Sequence, residues 1–450
     1  DMARRAAWLL AGTLGVATGA APPVVVLGGG KSRLFKAGNP LVFSGAVSKV
    51  RGSPGAGDVV DVHDGAGDLV GWGVFNPHSQ YRVRILAHAP ADIDHRDVPA
   101  LVASRLRAAA RRRLTVGLPS PTDTAYRLCN SEGDRLSGLT VDVFNGVAVV
   151  VSSAIWLERR REAVTAALLG LDGIHEVVWR QAEARLKMDG WEELQRDGAE
   201  GGPAAAESGA GEAPAADAPT QLVLESGLRY EVSPTLGQKS GFYCDQRDNR
   251  AAVASLCAGR TVLDLFCYSG GFALSAASRG ATRTLGVDSS GAALALARRN
   301  AEMNGMGGEV EFVQADCIKF LTDGSLLSRN PLSNLRAALP SGAPRGYDVV
   351  ICDPPKFAPT ARDLPRAARK YKTLNGLAMR ALRPGGLLVT CTCSAAMTQS
   401  GSFLQTIQEA AEAEGRGLTL LSTTGAARDH ALHPAVMESR YLTCLMFVVD

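Results

Sequence analysis

The stretch T-V-L-D-L-F-C-Y-S-G-G-F, residues Thr261–Phe272, decides how the second half of this chain folds. Apolar residues surround one carboxylate, Asp264, and the pair Gly270-Gly271 leads into the helical run Phe272–Ser278. This order predicts a buried strand, a tight turn and a helix N-terminus, which together start a nucleotide-binding α/β unit. Glycine lets the backbone pass close to a ligand because it has no Cβ atom.

A second acidic residue follows at the spacing that such a unit requires. The predicted strand Thr284–Val287 ends in Asp288, which lies 24 positions after Asp264 (288 − 264). An acid at a strand end about 20 residues past a glycine turn is placed to bind the two hydroxyls of a ribose. The glycines do not follow G-x-G-x-x-G, so a dinucleotide is not the first choice of ligand.

Composition limits the class of protein. The 450 residues are enough for two or three domains, and 46% hydrophobic and 21% charged residues are ordinary for a globular protein. A net charge of +3 is too small to indicate nucleic-acid binding alone. Nine scattered cysteines without a C-x-x-C pair indicate reduced thiols and argue against a metal site.

The first 23 residues form a separate segment. Arg4 and Arg5 precede the apolar, small-residue run Ala6–Ala21, which suits an organellar presequence, a secretory signal or an uninformative tail. Reduced thiols argue against secretion, so we expect a plastid, mitochondrial or cytoplasmic location. No other stretch of about 20 clean apolar residues occurs, which excludes a multi-spanning membrane protein.

Three domains are predicted after this segment. Short strands and glycine turns over residues 24–97 predict a small β-barrel-like domain, and strand pairs around a helix over 98–232 predict an α+β middle domain. Residues 233–450 alternate helix and strand, which predicts an α/β domain with a mostly parallel sheet. Low-complexity composition predicts a disordered insertion at 197–220, and a further loop insertion is expected at 322–346.

Charged side chains in the first two domains allow simple expectations. Asp61 and His63 alternate with valines along a predicted strand, so both are expected to face solvent. The predicted helix Val98–Leu114 carries arginines that form either a solvated face or a phosphate-facing patch. These arginines are Arg105, Arg107, Arg111, Arg112 and Arg113.

Chemically active residues follow successive strands of the predicted parallel sheet, whose carboxyl ends share one edge. They are Phe266, Cys267, Tyr268, Asp288, Asp316, Cys317, Asp353, Cys391 and Cys393. Carboxylates are rarely buried without partners, so their convergence indicates a site rather than packing. The prolines of D-P-P-K-F stiffen the backbone and present Asp353 to a planar amine or ring edge. T-C-T-C-S offers a thiolate nucleophile, although a cysteine there is also an ordinary small core residue.

The motifs D-L-F-C-Y-S-G-G-F, G-V-D-S-S, Q-A-D-C, C-D-P-P-K-F and P-G-G-L-L-V-T-C-T-C-S together resemble those of class I S-adenosylmethionine-dependent methyltransferases. More closely, the chain is similar to the bacterial-type large-subunit rRNA cytosine-C5 methyltransferase family, which has an N-terminal PUA domain and an α+β middle domain. G-N-P-L-V-F-S-G-A-V resembles the PUA segment, N-S-E-G-D-R-L-S-G-L-T-V-D the middle domain, and G-Q-K-S-G-F-Y-C-D-Q-R-D-N-R the segment before the first strand. The match covers nearly everything after Val24 except the two insertions.

This resemblance implies a Rossmann-like methyltransferase domain, S-adenosyl-L-methionine as cofactor and large-subunit rRNA as partner. Asp288 would hold the ribose hydroxyls, Asp316 the adenine amine and Cys317 the adenine ring. Asp353 would lie beside the target base and is also counted among the cofactor-binding residues. The residues implied at the methionine end are Asp264, Phe266, Tyr268, Gly270 and Gly271. No membrane partner is implied, and a homodimer stays open.

The implied reaction uses a cysteine. Alignment of T-C-S makes Cys393 the preferred nucleophile and Cys391 the second candidate. Addition to C6 of cytosine would activate C5, with Asp353 protonating or hydrogen-bonding N3, and the base must be presented unstacked. Two departures stand out: Lys356 replaces a helper cysteine that assists release, and Leu41 replaces a tryptophan expected to stack on RNA.

Three alternatives remain at this stage. D-P-P-x-F also occurs in guanine-N7 and guanine-N2 methyltransferases, which need no thiol. A non-catalytic RNA-binding assembly factor could retain the cofactor pocket. A small-molecule methyltransferase would have little use for the two N-terminal domains.

Overall fold

The computed structural model describes residues 22–90, 96–192, 220–235, 242–322 and 346–450. The chain divides into two compact units, one ending at Arg96 and the other beginning at Asp97. Most of the predicted N-terminal segment and of both predicted insertions lies outside the described residues. Within those residues, no helix is both long enough and apolar enough to cross a membrane.

The first unit is built on a six-stranded sheet with the strand order β2-β6-β5-β4-β1-β3. Its elements are β1 (Val24–Leu27), α1 (Arg33–Lys36), β2 (Leu41–Phe43), β3 (Val47–Arg51), β4 (Val59–His63), β5 (Leu69–Phe75) and β6 (Tyr81–His88). Valines and aromatics from these strands fill its core. The sequence pattern predicts strands over Val24–Leu27 and Leu69–Phe75, which are the bounds of β1 and β5, but predicts no strand at β3 or β6.

The sequence did not predict the burial of two side chains in the first unit. Asp61 is buried rather than solvent-facing, because Arg96 donates two hydrogen bonds to its carboxylate at 3.0 and 2.9 Å. Leu41 is only 6% exposed, so this position packs in the core and offers no stacking surface. The exposed aromatic residue on the same strand is Phe43, at 42%.

The second unit begins with a helix and two small sheets. A four-stranded sheet has the order β10-β9-β8-β7, and β11 and β12 form a hairpin. The elements are α2 (Val98–Thr115), β7 (Ala125–Asn130), β8 (Leu139–Phe144), β9 (Val147–Ser152), α3 (Ile155–Glu158), α4 (Arg161–Leu169), β10 (Glu176–Gln181), α5 (Glu183–Met188), β11 (Gln221–Glu225) and β12 (Leu228–Val232). The hairpin turn at Asn145-Gly146 has positive φ at both residues, as its sequence predicts.

The arginines of α2 separate into buried and exposed groups. Arg113 is 1% exposed and forms a bidentate ion pair with Asp134, at 2.7 Å for each bond. It therefore belongs neither to a solvated face nor to a phosphate patch. Arg112 also binds Asp134, and Arg105 donates to a backbone carbonyl. The exposed residues Arg107 and Arg111 remain compatible with either expectation.

The rest of the second unit is a seven-stranded sheet with the order β15-β14-β13-β16-β17-β19-β18. Its elements are α6 (Arg247–Ala254), β13 (Thr261–Leu265), α7 (Gly271–Ser278), β14 (Arg283–Asp288), α8 (Gly291–Met303), β15 (Val310–Gln314), α9 (Cys317–Thr322), β16 (Tyr347–Cys352), α10 (Leu364–Ala381), β17 (Leu382–Thr392), α11 (Ala395–Ser400), α12 (Ser402–Glu414), β18 (Leu418–Thr424) and β19 (Thr443–Val449). Strands β13 to β17 pair in parallel, and β19 is antiparallel to both neighbours. This is the predicted Rossmann-like α/β fold.

Local differences from prediction occur where side-chain patterns are weak. The helix predicted over Trp156–Leu169 is broken into α3 and α4. Strand β18 was not predicted, because it is an edge strand whose side chains are mostly exposed and lack apolar alternation. Helix α6 is preceded by a 3₁₀ turn at Cys244–Gln246, which shortens the predicted Asp245–Ala258 helix.

Candidate active site

Backbone hydrogen bonds hold the carboxyl ends of the parallel strands at one sheet edge. The amide of Asp353 donates to the Leu265 carbonyl at 3.5 Å, and the amide of Phe266 donates to Val287 at 2.8 Å. These bonds join the ends of β13, β14 and β16, which are neighbours in the sheet. The predicted site residues after these strands are therefore brought together, as the topology requires.

The turn after β13 has an unusual backbone. Phe266 and Tyr268 have φ of 62° and 48°, a left-handed conformation that is uncommon for non-glycine residues and concentrates at functional sites. Gly270 has φ of 84°, and a Cβ atom there would lie 3.1 Å from the Phe312 ring. A Cβ atom on Gly271 would lie 3.0 Å from Arg250 Cδ. Packing inside the protein is thus a sufficient reason for both glycines, alongside the predicted approach of a ligand.

Asp264 is the most deeply placed carboxylate of this edge. It is 1% exposed, and its Oδ2 accepts a hydrogen bond from the Ala273 amide at 3.0 Å. Its Oδ1 is buried without a hydrogen-bond partner among the described residues. Burial raises the pKa of Asp264 well above its usual range, and the charges of Asp353 and Asp288 add to this. A ligand that brings a cation or a hydrogen-bond donor to Oδ1 would satisfy this atom.

Asp288 has a fixed orientation at the end of β14. Its two oxygens accept hydrogen bonds from the backbone amides of Tyr268, at 3.0 Å, and Ser290, at 2.9 Å. Each oxygen keeps a further lone pair, so the carboxylate can still accept from a pair of hydroxyls.

Asp316 and Cys317 lie one strand further out. Asp316 is exposed, and its Oδ1 accepts from the Lys319 amide at 2.9 Å in the first turn of α9. Cys317 is 2% exposed, with Sγ 3.6 Å from the Val287 carbonyl, and burial raises its pKa to about 12. Both positions therefore have a structural role in addition to the predicted contact with a ring.

The other side of the edge holds Asp353 and the T-C-S segment. Asp353 Oδ2 accepts a hydrogen bond from Gln246 Nε2 at 2.9 Å. All nine cysteines lie in the described ranges, and Cys393 alone is partly exposed. Cys391 is 0% exposed, and its pKa is raised first by the neighbouring Cys444 thiol and then by burial.

Hydroxyl groups fix the backbone on both sides of Cys393. The Thr392 hydroxyl lies 2.8 Å from the Tyr371 hydroxyl, and Ser394 Oγ donates to the Ala358 carbonyl at 2.6 Å. Burial is the main cause of the raised pKa of Tyr371, with smaller contributions from the charges of Cys393 and Asp353. The backbone on both sides of Cys393 is thus held by a side chain of α10 and by a backbone carbonyl of the loop after β16.

Sequence reasoning did not single out several residues at this edge. Gln246, Tyr243 and Tyr371 contact or electrostatically influence Asp353 and Cys393. The segment Y-C-D-Q-R-D-N-R is part of the resemblance, but its pattern predicts no role for the individual side chains. Lys356, which replaces the helper cysteine that the resemblance implies, has an exposed side chain in the loop after β16.

Comparison with known proteins shows what this arrangement belongs to. Residues 25–88 match the family model of PUA-like domains, and residues 203–416 match that of S-adenosylmethionine-dependent methyltransferases. Among solved structures, SMU.776, a methyltransferase complexed with SAH, superposes with a TM-score of 0.72 at 20% identity, covering 94% of this chain and 99% of that one. A SAM-dependent methyltransferase from Streptococcus mutans gives a TM-score of 0.71 at 22% identity with the same coverage. These structures share the fold.

Curated relatives match this chain over nearly its whole length. The chain is 33% identical over 430 residues to the ribosomal RNA large subunit methyltransferase I of Pseudoalteromonas translucida, covering 94% of this chain and 98% of the relative. The Salmonella enteritidis protein of the same name is 34% identical over 422 residues, with 93% and 96% covered. The buried Asp264 oxygen and the fixed Asp288 carboxylate fit a nucleoside cofactor with an ammonium group. The chain is an S-adenosylmethionine-dependent methyltransferase and belongs to the ribosomal RNA large subunit methyltransferase I family.

Proposed function

We propose that this enzyme methylates C5 of a cytosine in large-subunit rRNA through a covalent adduct with Cys393. One observation carries the proposal: the single partly exposed cysteine of the chain directly follows β17 at the strand edge, and both it and Asp353 lie near enough to Tyr243 and Tyr371 to add to the effect of burial in raising the pKa of those tyrosines. A thiol is needed for cytosine C5 but not for guanine N7 or N2, because C5 is a poor nucleophile until C6 is attacked. The names of the relatives support large-subunit rRNA as the substrate.

The cofactor contacts are part of this proposal. We assign the ammonium group of S-adenosylmethionine to the buried Oδ1 of Asp264 and the ribose hydroxyls to Asp288. Asp316 and Cys317 would take the adenine amine and ring, because they follow the next strand at the same edge. The turn residues assigned to the methionine end are Phe266, Tyr268, Gly270 and Gly271.

The protein's contribution to the chemistry follows from these positions. The bound cofactor supplies an electrophilic methyl group. Cys393 adds as a thiolate to C6, which places electron density on C5 and makes it nucleophilic. After methylation, loss of the C5 proton to a base restores the C5–C6 double bond and expels the thiolate. Cys391 is not assigned this role, because it is fully buried against Cys444.

Two surfaces are proposed to contact the RNA. In the first unit, exposed Phe43 lies 5.2 Å from Tyr81 between ring centroids, and the Arg84 guanidinium lies 5.1 Å from the Tyr81 ring centre. Exposed aromatics next to cations are what unstacked bases bind. On the second unit, the exposed Arg107 and Arg111 of α2 are candidates for phosphate contacts.

The test is direct. Unmodified large-subunit rRNA is incubated with enzyme and labelled S-adenosylmethionine, and digested nucleosides are identified by mass spectrometry. 5-Methylcytidine supports the proposal. A methylguanosine product, or a Cys393→Ala variant with normal turnover, would replace it with the guanine alternative.

A further inference from the structure

A buried chain of side-chain amides ends on Asp353. Gln246 and Asn249 are 3% and 4% exposed, and both belong to the segment that precedes β13. Asn249 Nδ2 donates to Gln246 Oε1 at 2.6 Å, and Gln246 Nε2 donates to Asp353 Oδ2 at 2.9 Å. At the far end, Asn249 Nδ2 also donates to the Gly425 carbonyl at 3.1 Å. We call this chain from Gly425 to Asp353 the amide relay.

Chemistry at the two ends fixes the direction of the amide relay. The Gly425 carbonyl can only accept, so Asn249 must present its nitrogen there. The Thr424 hydroxyl donates to Asn249 Oδ1 at 2.7 Å, which agrees with this orientation. Because the second Asn249 hydrogen goes to Gln246 Oε1, the Gln246 nitrogen must face Asp353. Rotating either amide by 180° would bring two acceptors or two donors together.

We propose that Gln246 is a positioning residue that holds Asp353 as an ionised hydrogen-bond acceptor, so that the site selects a base with an exocyclic amine. A donor directed at a carboxylate favours its charged form. In that form Asp353 accepts from the 4-amino group of cytosine and repels the 4-carbonyl of uracil. This inference rests on the proposed function, and it replaces the expectation that Asp353 protonates or hydrogen-bonds N3.

Other titratable groups around Asp353 must be considered in any pH experiment. Those whose pKa is affected by the Asp353 charge include Tyr243, Asp264, Cys352, Tyr371 and Cys391. The tyrosine and cysteine pKa values in this set are all raised, so those groups stay protonated near neutral pH. Asp264 is the other carboxylate, with a pKa also raised by burial. The proposed nucleophile Cys393 reacts as a thiolate, so it adds a pH dependence of its own that all variants share. Only a difference between variants, and not an absolute pH midpoint, can therefore be attributed to Asp353.

The experiment measures kcat/KM for rRNA from pH 5.5 to 9 in variants of the relay. Gln246→Glu removes the donor and adds an acid that must share a proton with Asp353. Because Asp353 then binds its proton more tightly, the fall of kcat/KM on the acid side of the pH profile (the acid limb) should begin at higher pH. At pH 6.5, kcat/KM should fall about 10- to 100-fold. The KM for S-adenosylmethionine should change little. A protonated Asp353 can donate to a carbonyl, so the preference for cytosine over uracil at the target position should also weaken.

Asn249→Asp tests the direction of the relay without changing an atom that contacts Asp353. It leaves Gln246 Oε1 without a donor, so Gln246 should rotate and turn its oxygen toward Asp353. The acid limb should move in the same sense as in Gln246→Glu. Thr424→Val removes a neighbouring bond but leaves the Gly425 carbonyl to set the direction, so its pH profile should match the parent. Asn304→Asp, whose amide donates to the Arg229 carbonyl instead, controls for the charge change.

The outcomes separate this inference from the proposed function. Parent enzyme that makes no 5-methylcytidine refutes the proposed function, whatever the relay variants do. Parent enzyme that makes 5-methylcytidine, with unchanged pH profiles and base preference in folded Gln246→Glu and Asn249→Asp, refutes the relay alone. Circular dichroism and cofactor calorimetry establish that each variant is folded.

Discussion

The two sides of the active-site edge are held in different ways. On the cofactor side, Asp264 and Asp288 accept from backbone amides that lie 9, 20 and 2 positions away in sequence. On the base side, Asp353 accepts a hydrogen bond from Gln246, which lies 107 positions away in sequence. Gln246 is oriented by Asn249, whose own partner Thr424 lies a further 175 positions along the chain. The proposed cofactor contacts are therefore built into the strand–turn–helix unit, whereas the proposed base contact at Asp353 depends on the tertiary fold.

Removing the proposed nucleophile should have the largest effect on activity. This effect should be confined to the base side, so that kcat falls and cofactor affinity does not. Cys393→Ala is expected to lower kcat by about 10³-fold or more, because C5 is then not activated. Calorimetry should show cofactor affinity within about 2-fold of the parent. Cys391→Ala, two positions earlier on β17, is the matched control and should retain nearly full activity. Equal losses in the two variants would show that the thiol chemistry is assigned to the wrong place.

Breaking a buried ion pair tests whether the base side depends on distant packing. Arg113 binds Asp134 and also donates to the Asp429 carbonyl at 2.7 Å, in the loop between β18 and β19 that begins at Gly425. Arg113→Ala leaves Asp134 buried and charged with only the exposed Arg112 as a cationic partner, so the free energy of unfolding should fall by up to about 3–5 kcal/mol. Urea unfolding measures this, and kcat should fall more than cofactor affinity does.

The same pair gives a pH dependence with a definite sign. Burial alone would raise the pKa of Asp134, but hydrogen bonds from Arg113 and Arg112 outweigh it and lower the pKa below its usual value. The stabilisation is therefore complete above the unfolded-state pKa of about 4 and is lost as pH falls through the lower folded-state pKa. The stability difference between parent and Arg113→Ala should shrink in acid. A difference that is the same at pH 7 and in acid would contradict an ionised Asp134.

Substitution on the cofactor side should lower cofactor affinity and leave kcat nearly unchanged, which is the opposite of what is expected on the base side. Asp288→Ala removes the proposed acceptor for the ribose hydroxyls and should weaken S-adenosylmethionine binding by about 1.5–3 kcal/mol, or roughly 10- to 150-fold in Kd. At saturating cofactor, kcat should recover to near the parent value. Asp316→Ala, one strand further out and exposed, should have a smaller effect. If Asp288→Ala instead lowered kcat at saturating cofactor, the division of the edge into two sides would be wrong.

This division also decides what the sequence could predict. The positions of Asp264 and Asp288 at the sheet edge could be predicted because both acids lie at the ends of predicted strands, at a spacing that local geometry imposes, and the sheet itself followed from alternating elements. Their contacts with a cofactor stay predictions. The roles of Gln246 and Asn249 could not be predicted, because polar residues near the N-terminus of a helix have no pattern that identifies a partner more than 100 positions away. Arg113 shows the same difficulty: it reads as one of five arginines on a surface helix until Asp134 is placed beside it. The burial of Leu41 could not be predicted either, because it depends on the neighbouring strand β6.

The smallest expected effect lies outside the edge, in the first unit, and tests whether RNA affinity is separate from both sides of the site. Phe43→Ala removes one exposed ring of the Phe43–Tyr81 pair, so RNA binding should weaken by about 1–2 kcal/mol, within the range of base–aromatic stacking. The KM for rRNA should rise about 5- to 30-fold while kcat and cofactor affinity stay unchanged. Leu34→Ala, which removes a similarly exposed apolar side chain at 48% exposure, should leave RNA binding as it is. Equal losses in both variants would mean that general apolar contact, rather than stacking on Phe43, supports binding, and the aromatic surface would then have no specific part in RNA recognition.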